Sequence, residues 1–429
     1  MTIEEQVILA EEAALGLTSA TTEAKNSALA RVARNLDEHR DEIERVNAKD
    51  VDDAEKANLA PALIKRLKLD NTKIDEMIEG VKSVIGLVDP VGKVLSATEL
   101  DESLTLYKVS TPIGLIGVIF ESRPDALVQI GTLCIKSGNA VVLKGGSEAK
   151  RSNRMLFNLI KDAIEEDAIF EDSIQLVETR EDVRELLKLD SHIDLMIPRG
   201  SNALVRYIQE NTKIPVLGHS DGICHVYVDK DADLDMAADI ALDSKCQYAA
   251  VCNAIETLLV HTDVADEFLS MVGTRYDAEG VELRGDERAR AVLGCNPASD
   301  EDWITEYNDL ILSIRILDSA GDAIDHINRY GSHHTDAIVT SDERTAERFM
   351  EGVDSSSVMW NCSTRFADGF RYGLGSEVGI STGKIHSRGP VGLEGLRIYK
   401  YKLIGAGQIV ADYADGTKQF THRQVAQVV

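Results

Sequence analysis

Apolar residues in the first ninety positions recur every three or four residues. Leu29, Val32, Leu36, Ile43 and Val46 share one helical face, and Ile74, Met77, Ile78, Val81 and Ile85 repeat the pattern. Asp89-Pro90 closes this helical region, because a residue before proline is pushed out of the α conformation. The rhythm then changes. Residues 103–109 alternate polar and apolar, as a strand does. Short apolar runs follow at 115–120, 140–144, 174–177, 193–197 and 214–217, most of them separated by helical patterns. This βαβα alternation predicts an α/β fold with an open parallel sheet, which binds ligands beyond the C-terminal ends of its strands.

A second series begins at Ile223, with a strand, a helix from Asp233, a strand at 256–261 and a helix from Asp263. A strand at 310–317, a helix near 321–329 and a strand at 356–360 complete it. Residues 369–396 hold too many glycines for regular structure and read as loops close to a site. The tail at 396–405 alternates again, as a strand.

At 429 residues the chain has length for two or three domains. Its 44% hydrophobic and 28% charged residues exclude a disordered or fibrous chain. Lys and Arg number 46 against 73 Asp and Glu, a formal charge of −27, which argues against a nucleic-acid partner. No run approaches the ~20 apolar residues that span a bilayer. The acidic, amphipathic N-terminus lacks the basic and apolar regions of a signal peptide, so a cytoplasmic protein without membrane contact is expected. Six cysteines stand without CxxC or Cys/His ligand spacing, so neither disulfides nor a metal site is predicted.

Three places could carry chemistry. Lys144-Gly145-Gly146-Ser147 follows a strand and precedes a helix, and Arg199-Gly200-Ser201 repeats the layout. Such junctions let a backbone approach a phosphate at a helix N-terminus. GxGxxG is absent, so a dinucleotide must bind by another geometry. Cys252 lies among small residues ahead of a strand, and reads either as a buried core cysteine or as a nucleophile. Lys245 would support a thiolate there if the loop folds back. Arg365 and Arg371 lie in the Gly-rich region, as a salt-bridged surface loop or as receptors for an anionic group. His219, His225 and His261 belong to no catalytic motif and read as structural.

Seven segments carry a resemblance: VSTPIGLIGVIFESRP, GNAVVLKGGSEAKRSN, VLGHSDGICHVYVD, CNAIETLLVH, TEYNDL, STRFADGFRYGLGSEVGIST and RGPVGLEGL. In order and over nearly the whole chain, they resemble the gamma-glutamyl phosphate reductase family of the aldehyde dehydrogenase superfamily. The resemblance implies an aldehyde-dehydrogenase-like fold in three parts. These are a Rossmann-like NADP-binding domain (1–94 and 112–220), an α/β catalytic domain (221–395) and a small β oligomerisation element (95–111 and 396–429). It implies NADPH-dependent reduction of L-glutamyl 5-phosphate to L-glutamate 5-semialdehyde, through a cysteine thioacyl intermediate, in proline biosynthesis. A homodimer or homotetramer is implied. The lability of acyl phosphates adds transient contact with a glutamate 5-kinase.

Residue by residue, Cys252 matches the superfamily nucleophile. Lys144, Gly145, Gly146 and Ser147 fall near the adenosine ribose. Arg199, Gly200 and Ser201 fall near the pyrophosphate, and Glu306 at the nicotinamide ribose. Arg123, Ser363, Thr364 and Arg365 match the substrate's charged end. Asn253 and Ser122 are the side-chain candidates for the oxyanion hole, beside the Cys252 N–H. Two departures are informative. The general-base glutamate of the oxidising enzymes is replaced by Val216, ahead of Leu217-Gly218, and their oxyanion asparagine by Ser122. Without a base to activate water, a thioester is spared hydrolysis, which suits a reductase.

Overall fold

A computed structural model describes residues 1–425, so the last four residues of the expected oligomerisation element, 426–429, lie outside the described residues. The chain forms two compact units. The first comprises Met1–Leu217, Leu374–Gly379 and Val391–Val429, and the second Gly218–Gly373 and Ile380–Pro390.

The first unit opens with helices, as the periodicity predicts: Ile3–Leu17, Thr22–Glu38, Arg40–Lys56, Pro61–Leu67 and Asn71–Gly86. Their starts are written in the sequence. Thr2 and Glu5 form a capping box, and Thr21 and Asp70 accept main-chain N–H groups of the first turn. One face of each longer helix feeds the core, with Val7, Leu29, Val32, Leu36, Ile74 and Val81 almost wholly buried. The opposite face carries acids, among them the exposed Asp41, Glu42, Asp52 and Asp53.

Four parallel strands build this unit's central sheet, in the order Ile174–Leu176, Ala140–Lys144, Leu115–Phe120, Leu195–Arg199. Leu115–Phe120 is buried at every position, as a central parallel strand requires. The run at 214–217 was expected to be another strand, and it is not. Pro215 has no N–H to give, and only one bridge forms, Met196 to Val216. A second, antiparallel sheet in this unit orders Arg397–Ile404, Leu104–Pro112, Val94–Asp101 and Arg423–Gln424.

The second unit holds seven parallel strands in the order Asn296–Pro297, Glu282–Gly285, Ile311–Leu317, Ile255–His261, Cys224–Val228, Thr335–Val339, Ser357–Trp360. Helices Leu234–Cys246, Ala265–Ala278 and Ala320–Tyr330 stand where the pattern places them. Thr335–Val339 was not legible. It begins with the polar Thr335 and Asp336, which are fully buried because Asp336 pairs with His225 at 2.7 Å. The Gly-rich stretch is mostly loop, with one short antiparallel pair, Ile380–Ser381 with Gly389–Pro390.

Candidate active site

The second unit gathers its chemistry around Cys252. This residue lies on the loop 247–254, between helix Leu234–Cys246 and strand Ile255–His261. The base of the loop is clamped. Lys245, at the end of the helix, gives its ammonium to Glu256, on the strand, at 2.6 Å. Both side chains are buried, so Lys245 serves this pair and not the Cys252 thiolate. Burial pushes the Glu256 carboxyl up to about 7, with Lys245 and the Asn308 N–H opposing the rise.

The floor beneath Cys252 is backbone. A Cβ on Gly222 would lie 2.3 Å from the Cys252 carbonyl oxygen and 2.5 Å from its Cα. The Cys224 thiol donates to the same carbonyl at 3.1 Å. Burial, and behind it the charge of Asp336, holds the Cys224 thiol well above its ordinary value, so this second cysteine stays neutral.

Two histidines flank the nucleophile position. One nitrogen of His219, one of His334 and the Cys252 sulfur lie within 4.8 Å of one another. The rings of His219 and His334 meet edge to face, with centroids 4.8 Å apart. Nδ1 of His219 is 2.9 Å from the Ile380 carbonyl. A carbonyl only accepts, so Nδ1 carries the hydrogen, and in the neutral ring Nε2 keeps its lone pair. His334 is fully buried, and its Nε2 has no hydrogen-bond partner among the described residues.

Residues 363–367 form another wall. Arg365 is only 8% exposed, and its Nε donates to Gln247 on the Cys252 loop at 3.0 Å. Burial lowers its pKa, as does the neighbouring Arg371, while Cys252, Asp243 and Asp368 pull the other way. Arg365 is therefore within Coulombic reach of a Cys252 thiolate. Arg371 donates to the Arg365 carbonyl at 2.7 Å and fixes the loop from behind.

In the first unit, Gly145, Gly146, Ser147, Lys150 and Asn153 line a cleft with Leu176, Val177 and Glu178 at the strand ends. Burial lowers the Lys144 pKa, against the charges of Glu148 and Glu121. Asn153 turns toward the Gly146 carbonyl, and its Oδ1 is buried without a partner among the described residues.

The aldehyde dehydrogenase family model matches residues 1–290. The gamma-glutamyl phosphate reductase of Pelotomaculum thermopropionicum is 60% identical over 97% of this chain and 96% of its own. That of Natronomonas pharaonis is 55% identical over 99% and 98%. The crystal structure of the Thermotoga maritima gamma-glutamyl phosphate reductase superposes with a TM-score of 0.93 at 40% identity, covering 95% of this chain and all of that one. The chain belongs to the gamma-glutamyl phosphate reductases of the aldehyde dehydrogenase family.

Within this reductase the expected site residues sort by what their side chains touch. Cys252 and Arg365 stand together. Thr364 is fully buried and donates to the Asn253 carbonyl at 2.7 Å, and Ser363 meets Ser244 at 3.1 Å. Thr364 is thereby tied to the Cys252 loop, and the Ser363 oxygen also accepts the Arg365 N–H at 3.2 Å. Asn253 gives one N–H of its side-chain amide to the Ala367 carbonyl at 2.9 Å. Ser122 is engaged within the first unit. Its N–H and hydroxyl both go to Glu148 Oε1, at 2.7 and 2.6 Å, with its backbone held at φ +45°. Arg123 pairs with Asp125 at 3.1 Å. Glu306 lies on the loop before strand Ile311–Leu317, near enough to Glu256 to raise its pKa.

The cofactor-side residues keep to their strand ends. The main chain of Gly145 and Gly146, Lys144, Ser147 and the orphaned Asn153 oxygen suit a ribose and an anionic group. At the second junction the Ser201 N–H already donates to Glu121 Oε2 at 2.7 Å. A pyrophosphate there would displace that carboxylate. Arg199 donates to Gln129 at 2.9 Å. The structure adds His219 and His334 to the site. No local motif marks them, because residues 219, 252 and 334 meet only when the connections leading into the adjacent strands Cys224–Val228, Ile255–His261 and Thr335–Val339 come together at one end of the sheet. Among the described residues, no helix is long and apolar enough to cross a membrane.

Proposed function

We propose that this chain reduces L-glutamyl 5-phosphate to L-glutamate 5-semialdehyde and phosphate, with NADPH as reductant, in proline biosynthesis. The observation that carries the reading is the grouping of Cys252 with His219, His334 and the buried Arg365. Arg365 holds the α-carboxylate of the substrate and stabilises the thiolate. The lone pair on His219 Nε2 accepts the Cys252 proton. The thiolate attacks the acyl carbon, the C–O bond to phosphate breaks, and a thioacyl enzyme forms. NADPH, when bound, supplies a hydride to that carbon. The resulting tetrahedral oxyanion, facing the Cys252 N–H, collapses to aldehyde and returns the thiolate. In sequence, Val216 ahead of Leu217-Gly218 replaces the general-base glutamate of the oxidising enzymes, which suits a thioacyl group kept for reduction.

Lys144, Gly145, Gly146, Ser147, Gly200 and Ser201 would hold the adenosine and phosphates, with Arg199 behind them. Glu306 would hold the nicotinamide ribose. Among the described residues, the strand Arg397–Ile404 pairs only with Leu104–Pro112 and exposes Ile398, Tyr399, Tyr401, Leu403 and Ile404. Such an apolar edge fits pairing between copies in a dimer or tetramer.

The reverse reaction tests the reading. Glutamate semialdehyde oxidation should require phosphate and prefer NADP over NAD. Cys252→Ala should abolish turnover and leave NADPH affinity nearly unchanged. Substantial turnover in that variant would remove Cys252 as nucleophile.

A further inference from the structure

We propose that Cys252, His219 and His334 form a chelating site for a thiophilic divalent cation, zinc(II) above all, which reversibly caps the nucleophile. The capping consequence rests on the reading of Cys252 given above. The binding rests on geometry alone.

The three ligand atoms lie within 4.8 Å of one another, the only such His/Cys/carboxylate cluster among the described residues. Zinc at its usual ~2.0–2.1 Å to nitrogen and ~2.3 Å to sulfur needs these ligand atoms ~3.3–3.6 Å apart in a tetrahedron. Cys252 and His219 are half-buried, and side-chain rotation in those two supplies the closure. His219 already has the outer contact of a metal ligand. Its Nδ1–H points at the Ile380 carbonyl, which leaves Nε2 bare and aims the ring. His334 Nδ1 sits 2.8 Å from the Thr335 hydroxyl, which can take that hydrogen and free Nε2. That Nε2 is a fully buried polar atom with no partner among the described residues.

The donor set selects the ion. One sulfur and two imidazole nitrogens, with no carboxylate in the cluster, suit zinc and exclude magnesium or calcium. Cys224 lies 3.7 Å from His334 Nδ1, and its S–H is directed at the Cys252 carbonyl at 3.1 Å, so it is not one of the three clustered ligands. The solvent-facing side of Cys252 and His219 leaves the fourth position to water. Binding replaces the thiol S–H by S–Zn and releases one proton.

Zinc titration of the full chain without substrate, in competition with a chromophoric chelator, tests the site. One tight equivalent is expected. Cys252→Ser and His219→Ala should each weaken it by more than the ~10–100-fold that loss of an outer-shell partner costs. One equivalent of zinc should also protect the Cys252 peptide from iodoacetamide, with EDTA restoring alkylation and magnesium giving no protection. Unchanged zinc affinity in Cys252→Ser, or alkylation of Cys252 at the wild-type rate with zinc bound, would overturn the proposal. Neither readout needs turnover, so the chelate stands or falls separately from the reductase reading.

Discussion

Lys245 and Glu256 meet at 2.6 Å across the base of the loop that carries Cys252, each buried from solvent. The pair joins the last turn of a helix to the start of a strand, and so sets where the nucleophile stands. Removing one partner leaves the other buried without its hydrogen bond. Lys245→Met is expected to cost ~3–5 kcal/mol in urea denaturation. The double variant Lys245→Met, Glu256→Leu should recover most of that loss, because both charges leave together. A double variant no more stable than the single one would show that the pair is not the coupling element.

Gly222 is the other constraint on the nucleophile. A methyl group there would sit 2.3–2.7 Å from three backbone atoms of Cys252, none of which can swing aside. Gly222→Ala should shift the loop and lower kcat by ~100-fold, the penalty of a displacement near 1 Å. The affinity for NADPH should hold. Single-turnover kinetics beside cofactor titration would separate the two effects.

His326 predicts a pH dependence of stability. It is almost fully buried, and its Nδ1 accepts from Arg315 at 2.9 Å. Burial, then the charges of His225 and Arg315, lowers its pKa from 6.5 to about 2. The folded protein thus refuses a proton that the unfolded chain takes. The contribution is fully present above pH 6.5 and is lost as pH falls below it, at ~1.4 kcal/mol per unit for one group. Replacing His326 with Gln should flatten the stability profile between pH 6.5 and 4, measured by thermal unfolding. An unaltered slope would assign the acid limb elsewhere.

Arg365 has two expected roles with separable readouts. Arg365→Met should raise KM for the acyl phosphate by ~10–100-fold, the worth of a hydrogen bond to a charged group. It should also slow iodoacetamide alkylation of Cys252 near neutral pH, because a thiolate loses its buried cation. Arg365→Lys should restore part of the alkylation rate and less of the KM, since an ammonium lacks the planar fork.

Much of the architecture follows from local sequence. The helical faces of the first ninety residues, the caps at Thr2, Thr21 and Asp70, and the apolar strands from Leu115 to Val228 are set by spacing and side-chain chemistry. Long motifs place the chain in its family. The strand Thr335–Val339 escapes such reading because its polar residues are buried against His225. The run 214–217 misleads because a proline interrupts its hydrogen bonding.

The sequence by itself determined the α/β class, Cys252 as the candidate nucleophile and the glycine turns that suit a dinucleotide. Only the tertiary structure decided which neighbours these residues keep. It gave Lys245 to Glu256, Ser122 to Glu148 and Thr364 to the Asn253 carbonyl. It also brought His219 and His334 to Cys252. The reason is physical. Periodicity and propensity act over a few residues, whereas a buried polar group takes its partner from whichever element the parallel sheet lays beside it.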